Sequence, residues 1–555
     1  MYIRIARQRQ GNREYRSLQI AESYRDPDKG GAPRTRILAH LGTLENLGEK
    51  QIEKLIAGLH RVLGREASEE RIGELLSARD FGHVYAVCET WNRLGLSEIL
   101  DHLEIAGEAS FPVSDLVRLM VVNRVCDPCS KLALLEWLDG VHFPGYEEDR
   151  PSYHHLLRAM DRLLAIKEQA EPVIARQFLS LFDQPVDLVF YDITSTYFEG
   201  DRSIGEDDIR QYGYSRDGRF DRRQITIGVV MTREGIPLCH HVFPGNTVDK
   251  TTVAEVVRDI RSRFNLGNVI FVGDRGMLSD ENLETILDEE LGFIVAHPLR
   301  RSQIAASVIA ALESQIDRTS GEEQFLCEER TSVRFVLAYS PQIAREVGEE
   351  RRSRLSRADG FIADCLRKLA SPTGRGRRAT PQGTYDRIRD YLRDHHLLSF
   401  YEIDLVNSEV VVRADEKARA WEETIGGMLL LETTDMGLPP EEVVRRYKEL
   451  AEIERGWRAL KSSLMLRPLY HWTEDRIRAH VFLCVLALQI ERLMRKRLQS
   501  VSVGKAIDRL RRIKAGELRL GSVKTRTLTR TTEEQLNLFK SLDVPPPRMS
   551  KAEAL

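Results

Sequence analysis

The chain of 555 residues lacks any long hydrophobic run. Its longest apolar stretch, near Val481–Ile490, is about half of the ~20 residues that a membrane-spanning helix needs. The first residues contain no apolar core of the kind found in secretion signals. Cysteine is also scarce, because the seven cysteines are few for this length and odd in number. These absences predict a cytoplasmic protein with reduced thiols and no membrane partner.

A strong overall charge is absent as well, since the formal net charge is only −3. The charge is nevertheless unevenly distributed. Between Arg492 and Arg530, thirteen lysines and arginines accompany two acids, Asp508 and Glu517. Such a basic segment can bind a phosphate backbone. No G-x-x-x-x-G-K-[ST] motif occurs, which argues against a nucleotide-driven motor.

The order of apolar runs predicts an α/β core. After Pro185 the runs follow the order β-β-β-α-β-α-β, and two of them are too apolar to leave one face in water. A mixed sheet covered by helices is therefore expected. We expect six segments along the chain: a small β unit at 1–47, a helical accessory or DNA-binding region at 48–181, the first part of the core at 182–297, an inserted α+β domain at 298–424, the rest of the core at 425–498 and a basic tail at 499–555.

Two acids follow apolar strands of this core. Asp192 lies in FYDITSTYFEG and Asp274 in FVGDRGMLSD. A carboxylate at the end of a buried strand is costly unless it is paired, hydrogen-bonded or bound to a metal. The alternative for either residue alone is an acid that caps a helix or a turn.

A third acid lies on the helix EEVVRRYKELAEIERGWRALKS. Tyr447, Leu450, Glu454 and Lys461 recur at helical spacing, and Trp457 shares their face. A stripe of this composition can face a polar site, although a salt-bridged surface helix gives the same pattern.

Three carboxylates on a sheet and a neighbouring helix suit a hard divalent cation, because Mg²⁺ prefers oxygen ligands. Two such ions can activate a nucleophile and stabilise a leaving oxygen in phosphoryl transfer. Cys126 and Cys129 form a single C-x-x-C without a second pair, so we expect no zinc there. His240 and His241 lie in an apolar strand and are expected to be packing or hydrogen-bonding residues.

The loop IRQYGYSRDGRFDRRQ is rich in arginine and aromatic residues. Arg216, Arg219 and Arg222 can bind phosphates, and the interleaved rings can stack on exposed bases. A solvated hairpin, balanced by its own aspartates, is the alternative.

These segments together resemble the DDE transposases of bacterial insertion sequences. The closest resemblance is to the group with a Y-x2-R-x3-E-x6-K signature and a β-rich insertion before its Glu. Tyr447, Glu454 and Lys461 match this signature, whereas Leu450 occupies the position of its Arg. The resemblance covers roughly 185–490 and, more loosely, 1–180.

The resemblance implies a ribonuclease-H-like fold and three catalytic acids. Asp192 and Asp274 resemble the first and second catalytic Asp, and Glu454 the catalytic Glu; together they would hold two Mg²⁺ ions, which Mn²⁺ can replace. The DNA-contacting residues would be Tyr447, Lys461, Arg458, Trp457, Arg216, Arg219 and Arg222.

The implied function is cleavage at the ends of the element and joining of the 3′-hydroxyl ends to target DNA. The implied partners are terminal inverted repeats, target DNA and a second copy of the chain, with the protein associated with the nucleoid when bound. The alternatives are a non-catalytic DNA-binding regulator derived from a transposase and a metal-dependent nuclease of the same fold. If one of the three acids proves not to be catalytic, Glu432 and Asp435 are the next acids to examine, followed by Glu199.

Overall fold

A computed structural model gives the architecture of the protein. The chain forms two compact units, the first built from 1–78 and 516–527 and the second from 79–515 and 528–548. The structure describes residues 1–10, 13–26, 30, 32–43, 49–63, 74–104, 111–146, 150–181, 188–200, 205, 208–216, 218–264, 269–273, 279–300, 302–371, 379–520 and 523–548.

The first unit is mainly β-structure, as the alternating pattern at the start of the chain predicts. An antiparallel sheet contains β1 (Tyr2–Gln10), β2 (Arg13–Asp26) and β3 (Ala32–Thr43), and α1 (Glu49–Val62) follows it. A second sheet combines β4 (Glu74–Asp80) with β15 (Lys514–Leu520) and β16 (Val523–Leu528) from near the C-terminus. The basic segment thus contributes strands to a folded sheet.

The second unit begins with helices, in agreement with the three- and four-residue spacing of its apolar positions. They are α2 (Gly82–Arg93), α3 (Leu96–Glu104), α4 (Val113–Cys126), α5 (Ala133–Gly140), α6 (Tyr153–Ala165) and α7 (Lys167–Ser180). Helix α4 is buried along nearly its whole length, so it forms the centre of this helical layer.

The main sheet of the second unit has eight strands in the order β10-β11-β14-β9-β8-β5-β6-β7. Its central elements are β5 (Leu188–Tyr197), β6 (Gln224–Met231), β7 (Pro237–Pro244), α8 (Val253–Phe264), β8 (Ile270–Gly273), α9 (Asp280–Asp288) and β9 (Gly292–Ala296). Strand β8 runs parallel to both β5 and β9, whereas β5, β6 and β7 are antiparallel. This is the mixed, helix-flanked α/β sheet that the ribonuclease-H-like resemblance implies.

The segment predicted as an insertion contributes to two sheets. Its elements are α10 (Gln303–Leu312), β10 (Gln324–Glu329), β11 (Arg334–Tyr339), α11 (Pro341–Ala370), α12 (Pro381–Asp394), β12 (Tyr401–Val406), β13 (Glu409–Ala414) and α13 (Glu416–Thr424). Strands β10 and β11 extend the main sheet through β14 (Met428–Thr433), while β12 and β13 form a separate hairpin. That hairpin and helices α11 and α12 share a core of their own.

The C-terminal part consists largely of helices. They are α14 (Pro440–Lys448), α15 (Leu450–Arg458), a π-helical turn (Ala459–Ser463), α16 (Glu474–Leu498), α17 (Val503–Leu510) and α18 (Glu533–Ser541). Within the described residues, no helix has the length and apolarity that a bilayer crossing demands.

The sequence predicts one continuous helix over about 440–463, and this prediction is wrong in detail. The hydrogen-bond ladder tightens at Glu449, whose carbonyl accepts from the Glu452 amide at 2.9 Å. It widens again near Ala459, whose carbonyl accepts from the Leu464 amide, five residues later, at 2.9 Å. The segment carrying Glu454 is therefore a short helix between two irregular turns.

Candidate active site

Strand β5 places Asp192 in the interior of the main sheet, between β8 and β6. Its neighbours in the strand are almost all buried, whereas Asp192 itself is partly exposed. In register, Asp192 lies opposite Val229 of β6. The Asp192 Oδ1 atom accepts a hydrogen bond from the Ile193 amide at 2.7 Å, which orients one side of the carboxylate.

Strand β8 pairs with β5 and ends beside Tyr191, the residue that precedes Asp192. It runs parallel to β5, with Gly273, its last residue, in register with Tyr191. Parallel strands end at the same edge of a sheet, so the chain leaves β8 beside the strand position that precedes Asp192. Asp274 is the next residue in the sequence, and the prediction for it lies outside the described residues, since 274–278 are not among them.

Helix α15 carries Glu454 and packs against β5. Ile453 and Trp457 are buried on one side of the helix, whereas Glu454 is exposed. Gly456 permits a close approach, because a Cβ atom there would lie 3.1 Å from both Met231 Cε and Arg492 Nη2. The structure thus brings together the two elements that carry Asp192 and Glu454.

Ion pairs hold the start of this helix in place. The Arg233 guanidinium, just after β6, donates to Glu449 Oε1 at 2.8 Å, and Arg445 donates to the same atom at 2.8 Å. Arg492 of α16 donates to the Glu452 carbonyl at 3.3 Å. The helix position is therefore fixed from both the sheet and α16.

The other residues of the predicted helix stripe differ in environment. Tyr447 lies on α14 and packs, partly buried, against the main hydrophobic core. Lys461 lies in the π-helical turn and is also partly buried. Trp457 is 6% exposed and belongs to that core, whereas Arg458 is exposed. Direct contact with a ligand is thus easiest for Arg458, and the DNA contacts of all four residues stay predictions.

The arginine-rich loop between β5 and β6 folds back onto the end of β5. The Arg216 amide donates to Ser195 Oγ at 3.2 Å, and the Arg219 guanidinium stacks on the Tyr197 ring at 5.0 Å. The loop therefore extends from the same strand that carries Asp192.

Each of the three predicted DNA-binding arginines has an acidic neighbour. The pairs are Arg216 with Asp249, Arg219 with Asp221 at 2.9 Å and Arg222 with Glu199 at 3.6 Å. All six side chains are partly or fully exposed, so water screens these pairs and phosphate groups can compete for the arginines. The three acids formally balance the three arginines, so phosphate binding would require the arginines to exchange these partners.

The basic segment near the C-terminus is also partly neutralised within the fold. Arg492 approaches Glu452, Arg511 pairs with Asp127 at 2.7 Å and Arg509 pairs with Glu534 at 2.9 Å. The excess of positive charge that the sequence shows is therefore partly used to hold helices together.

The substitute acids that the sequence suggests have defined structural partners. Glu432 is buried on β14 beside His297. Asp435 accepts from the amides of Gly437 and Leu438, both at 2.9 Å. Glu432 is therefore one member of a buried pair with His297, and Asp435 caps a turn.

The sequence did not predict one further cluster on β7 and α8. Ligand atoms of Cys239, His241 and Asp259 lie within 4.8 Å of one another. However, the Asp259 carboxylate already binds His241 Nε2 at 3.0 Å and Arg263 Nε at 2.6 Å. Its charge is thus balanced by the guanidinium, which disfavours a cation. The alternation of side chains along β7 could have indicated that Cys239 and His241 share one face of the strand. Asp259 lies on α8, and no local pattern connects it with them.

The chain was compared with curated proteins and with solved structures. No curated protein matches the chain. A structure of piggyBac transposase, described as a synaptic complex with hairpin DNA, is similar at 9% identity and a TM-score of 0.37, over 77% of this chain and 78% of that one. This similarity is too low to carry an argument.

Two family models match the sequence itself. The model of the IS1634 family transposase N-terminal domain matches residues 3–71. The model of the transposase DDE domain matches residues 187–490, more than half of the chain, and includes β5, β8 and the Glu454 helix. The chain therefore belongs to the DDE-domain transposases of insertion sequences.

Proposed function

We propose that this transposase binds the terminal inverted repeats of its element, cleaves DNA at the element ends and joins the 3′-hydroxyl ends to target DNA. The observation that carries the proposal is the packing of three elements: β5 with Asp192, the parallel strand β8 that precedes Asp274 in the chain, and α15 with Glu454.

We assign metal binding to Asp192, Asp274 and Glu454. The donor set consists of carboxylates, and both described members have exposed surface, so the residues fit a hard divalent cation such as Mg²⁺. Two bound ions would supply activation of the attacking oxygen and neutralisation of charge at phosphorus.

The remaining residues of the site position the DNA. Arg216, Arg219 and Arg222 extend from β5 and can exchange their acidic neighbours for phosphates. Tyr447, Lys461, Arg458 and Trp457 are assigned to the element end next to Glu454. Positioning supplies much of the rate in such a reaction, because it turns an encounter of separate groups into an in-line displacement.

We further propose that a homodimer acts on the two element ends together, since both ends of one element must be cut for a single transfer. Cleavage of paired ends would then depend on protein concentration more steeply than binding of a single end.

Single substitutions test the assignment of the acids. Asp192→Ala, Asp274→Ala and Glu454→Ala are each expected to abolish Mg²⁺-dependent cleavage while binding of end DNA survives. Glu441→Ala, which removes an exposed acid from the preceding helix α14, is the matched control and should cleave like the wild type. Cleavage near the wild-type rate in any of the three variants would remove that residue from the site.

A plasmid assay separates the alternatives. The purified protein is incubated with Mg²⁺ and DNA that bears the element ends, and nicked, excised and joined products are resolved on a gel. Nicking without joining would favour the nuclease. Binding with neither product would favour a non-catalytic regulator.

A further inference from the structure

A cavity of about 610 Å³ lies between the end of α4, the loop before α5 and the segment that follows the π-helical turn. Its lining includes Arg124, Lys131, Arg467, His471 and His480. None of its lining residues, all of them within the described parts of the chain, is an acid. The cavity wall therefore combines the cationic side chains of Arg124 and Lys131 with no carboxylate among its lining residues.

Lys131 is a buried lysine in the wall of this cavity. Its side chain is only 3% exposed, yet it makes neither a hydrogen bond nor an ion pair with any of the described residues. Burial, reinforced by the Arg124 charge, lowers the pKa of Lys131 to about 7. A buried ammonium group without a partner is costly and is normally paired. The lysine lines the cavity, so a ligand there can supply the missing partner.

Arg124 adds a second uncompensated charge. It is 3% exposed, and among the described residues its guanidinium donates to backbone carbonyls alone: those of Leu464 at 3.3 Å, Met465 at 3.2 Å and Cys129 at 3.2 Å. Its Nε atom is buried without an acceptor in the described structure. These bonds fix the orientation of the guanidinium but do not neutralise it.

The histidines and nearby thiols do not compensate these charges. Burial, with the Lys131 and Arg124 charges, lowers the pKa of His471 to about 3 and holds the pKa of His480 well below its usual range. Burial raises the pKa of the thiols of Cys129 and Cys484, so neither supplies a thiolate.

The acids on neighbouring elements are engaged elsewhere. Asp127 binds Arg511 at 2.7 Å and Trp137 Nε1 at 2.9 Å. Asp161 pairs with Arg476 at 3.1 Å. These two acids therefore do not balance the charges of Lys131 and Arg124, and an anion in the cavity can do so.

The cavity is connected to the strand that carries Asp192. The Leu469 amide, in the wall segment, donates to the Tyr197 carbonyl at the end of β5 at 3.3 Å. Leu469 also forms an isolated bridge with Phe198. A ligand in the cavity would thus lie on the same framework as the proposed cleavage site.

We propose that this cavity binds a phosphate monoester, namely the 5′-terminal phosphate of a DNA strand. This inference rests on the proposed function. Attack of water on the scissile phosphodiester forms a new phosphorus–oxygen bond, breaks the bond to O3′ and passes a proton to that oxygen. One product ends in a 3′-hydroxyl and the other in a 5′-phosphate. The near-complete burial of Lys131 favours a strand end over the continuous backbone of a duplex, whose phosphates lie on a wide ridge.

The test compares short oligonucleotides of one sequence with a 5′-phosphate or a 5′-hydroxyl, by fluorescence anisotropy. The wild type should bind the phosphorylated strand at least tenfold more tightly, and inorganic phosphate should compete. Lys131→Met should lose this preference. Lys368→Met, which removes an exposed lysine paired with Asp364, is the control and should keep it.

A background of Asp192→Ala separates this inference from the proposed function. That variant should not cleave but should retain the preference for the 5′-phosphate. If it retains the preference while the wild type never cleaves, the proposed function fails and the phosphate site stands. An unchanged preference in Lys131→Met would overturn the site. Lys131-dependent binding of inorganic phosphate without preference between oligonucleotides would overturn the assignment to a DNA end.

A second measurement needs no variant. Phosphate monoesters are essentially dianionic above pH 7, since their second pKa is about 6. Raising the pH from 7 to 9 should therefore change mainly Lys131, whose protonated fraction falls from about one half to about one hundredth, so most of the preference should be lost. A preference that stays constant over this range would contradict the assignment of Lys131.

Discussion

Replacing Gly228 with alanine should distort the strand that carries Asp192. Gly228 lies on β6 opposite Ile193, and an added Cβ atom would be 2.5 Å from the Tyr191 hydroxyl oxygen and 2.7 Å from its Cε2. Favourable contacts between such atoms begin at about 3.5 Å. Tyr191 cannot easily withdraw, because it is fully buried and donates a hydrogen bond to Thr252 Oγ1 at 2.8 Å.

The expected cost has two parts. Overpacking of a core typically costs about 1–3 kcal/mol, and loss of the hydrogen bond between Tyr191 and Thr252 adds about 1 kcal/mol. The sum is about 2–4 kcal/mol, which lowers the melting temperature of a unit of this size by roughly 1 °C per kcal/mol. Because Asp192 directly follows Tyr191, Mg²⁺-dependent cleavage should fall as well.

Gly360→Ala provides a control of opposite sign. Gly360 is exposed on α11, and a Cβ atom there would meet nothing within 4 Å. The higher helix propensity of alanine should stabilise this helix by about 1 kcal/mol. Thermal unfolding followed by circular dichroism, together with the plasmid cleavage assay, compares both variants with the wild type. A Gly228→Ala protein that unfolds and cleaves like the wild type would refute the packing around Tyr191.

Two further predictions concern buried charges and are measured by thermal unfolding. Lys131→Met should raise the free energy of unfolding by about 4 kcal/mol at pH 7, because the folded protein lowers the pKa of this lysine from 10.5 to about 7. The wild type gains stability as the pH rises towards 10.5, so the difference should vanish there; a constant difference would contradict the pKa. Glu171→Gln should cost about 3 kcal/mol, since Glu171 is buried and binds Lys167 and Arg263, both at 2.8 Å. Burial raises the pKa of Glu171, but Lys167, His240 and Arg263 outweigh it and hold the pKa well below 4.5. The loss of stability in Glu171→Gln should therefore persist down to about pH 4.5 and become smaller only in more acid solution.

Local patterns were sufficient to predict the central part of the fold. The order β-β-β-α-β-α-β is confirmed, because apolar runs of strand length alternate with amphipathic helices between 188 and 296. Long-range pairing was beyond such patterns. An inserted α+β domain was predicted at 298–424, but no local feature indicates that its strand β11 pairs with β14 of the core.

The same limit applies to the candidate site. The apolar run before Asp192 predicted a strand that ends there, and this was wrong, because β5 continues to Tyr197 and Asp192 lies in the middle of the strand. Helical spacing led to Glu454. The acidic neighbours of the arginine loop were harder to assign, since Asp249 follows Arg216 by 33 residues and approaches it only through the tertiary fold. The cationic cavity combines residues near 130 and near 470, so its unpaired lysine is invisible in the sequence.

The extension of the main sheet by β10 and β11 has a consequence for truncated proteins. Deleting 298–424 would remove both strands and leave β14 as the sheet margin, with its hydrogen-bonding groups towards β11 unpaired. The strand MLLLET is apolar and mostly buried in the intact protein. Exposed margins of this kind recruit other chains into intermolecular β-structure. A minimal version of the enzyme should therefore retain the β10–β11 hairpin and shorten only the part beyond it, or it will aggregate.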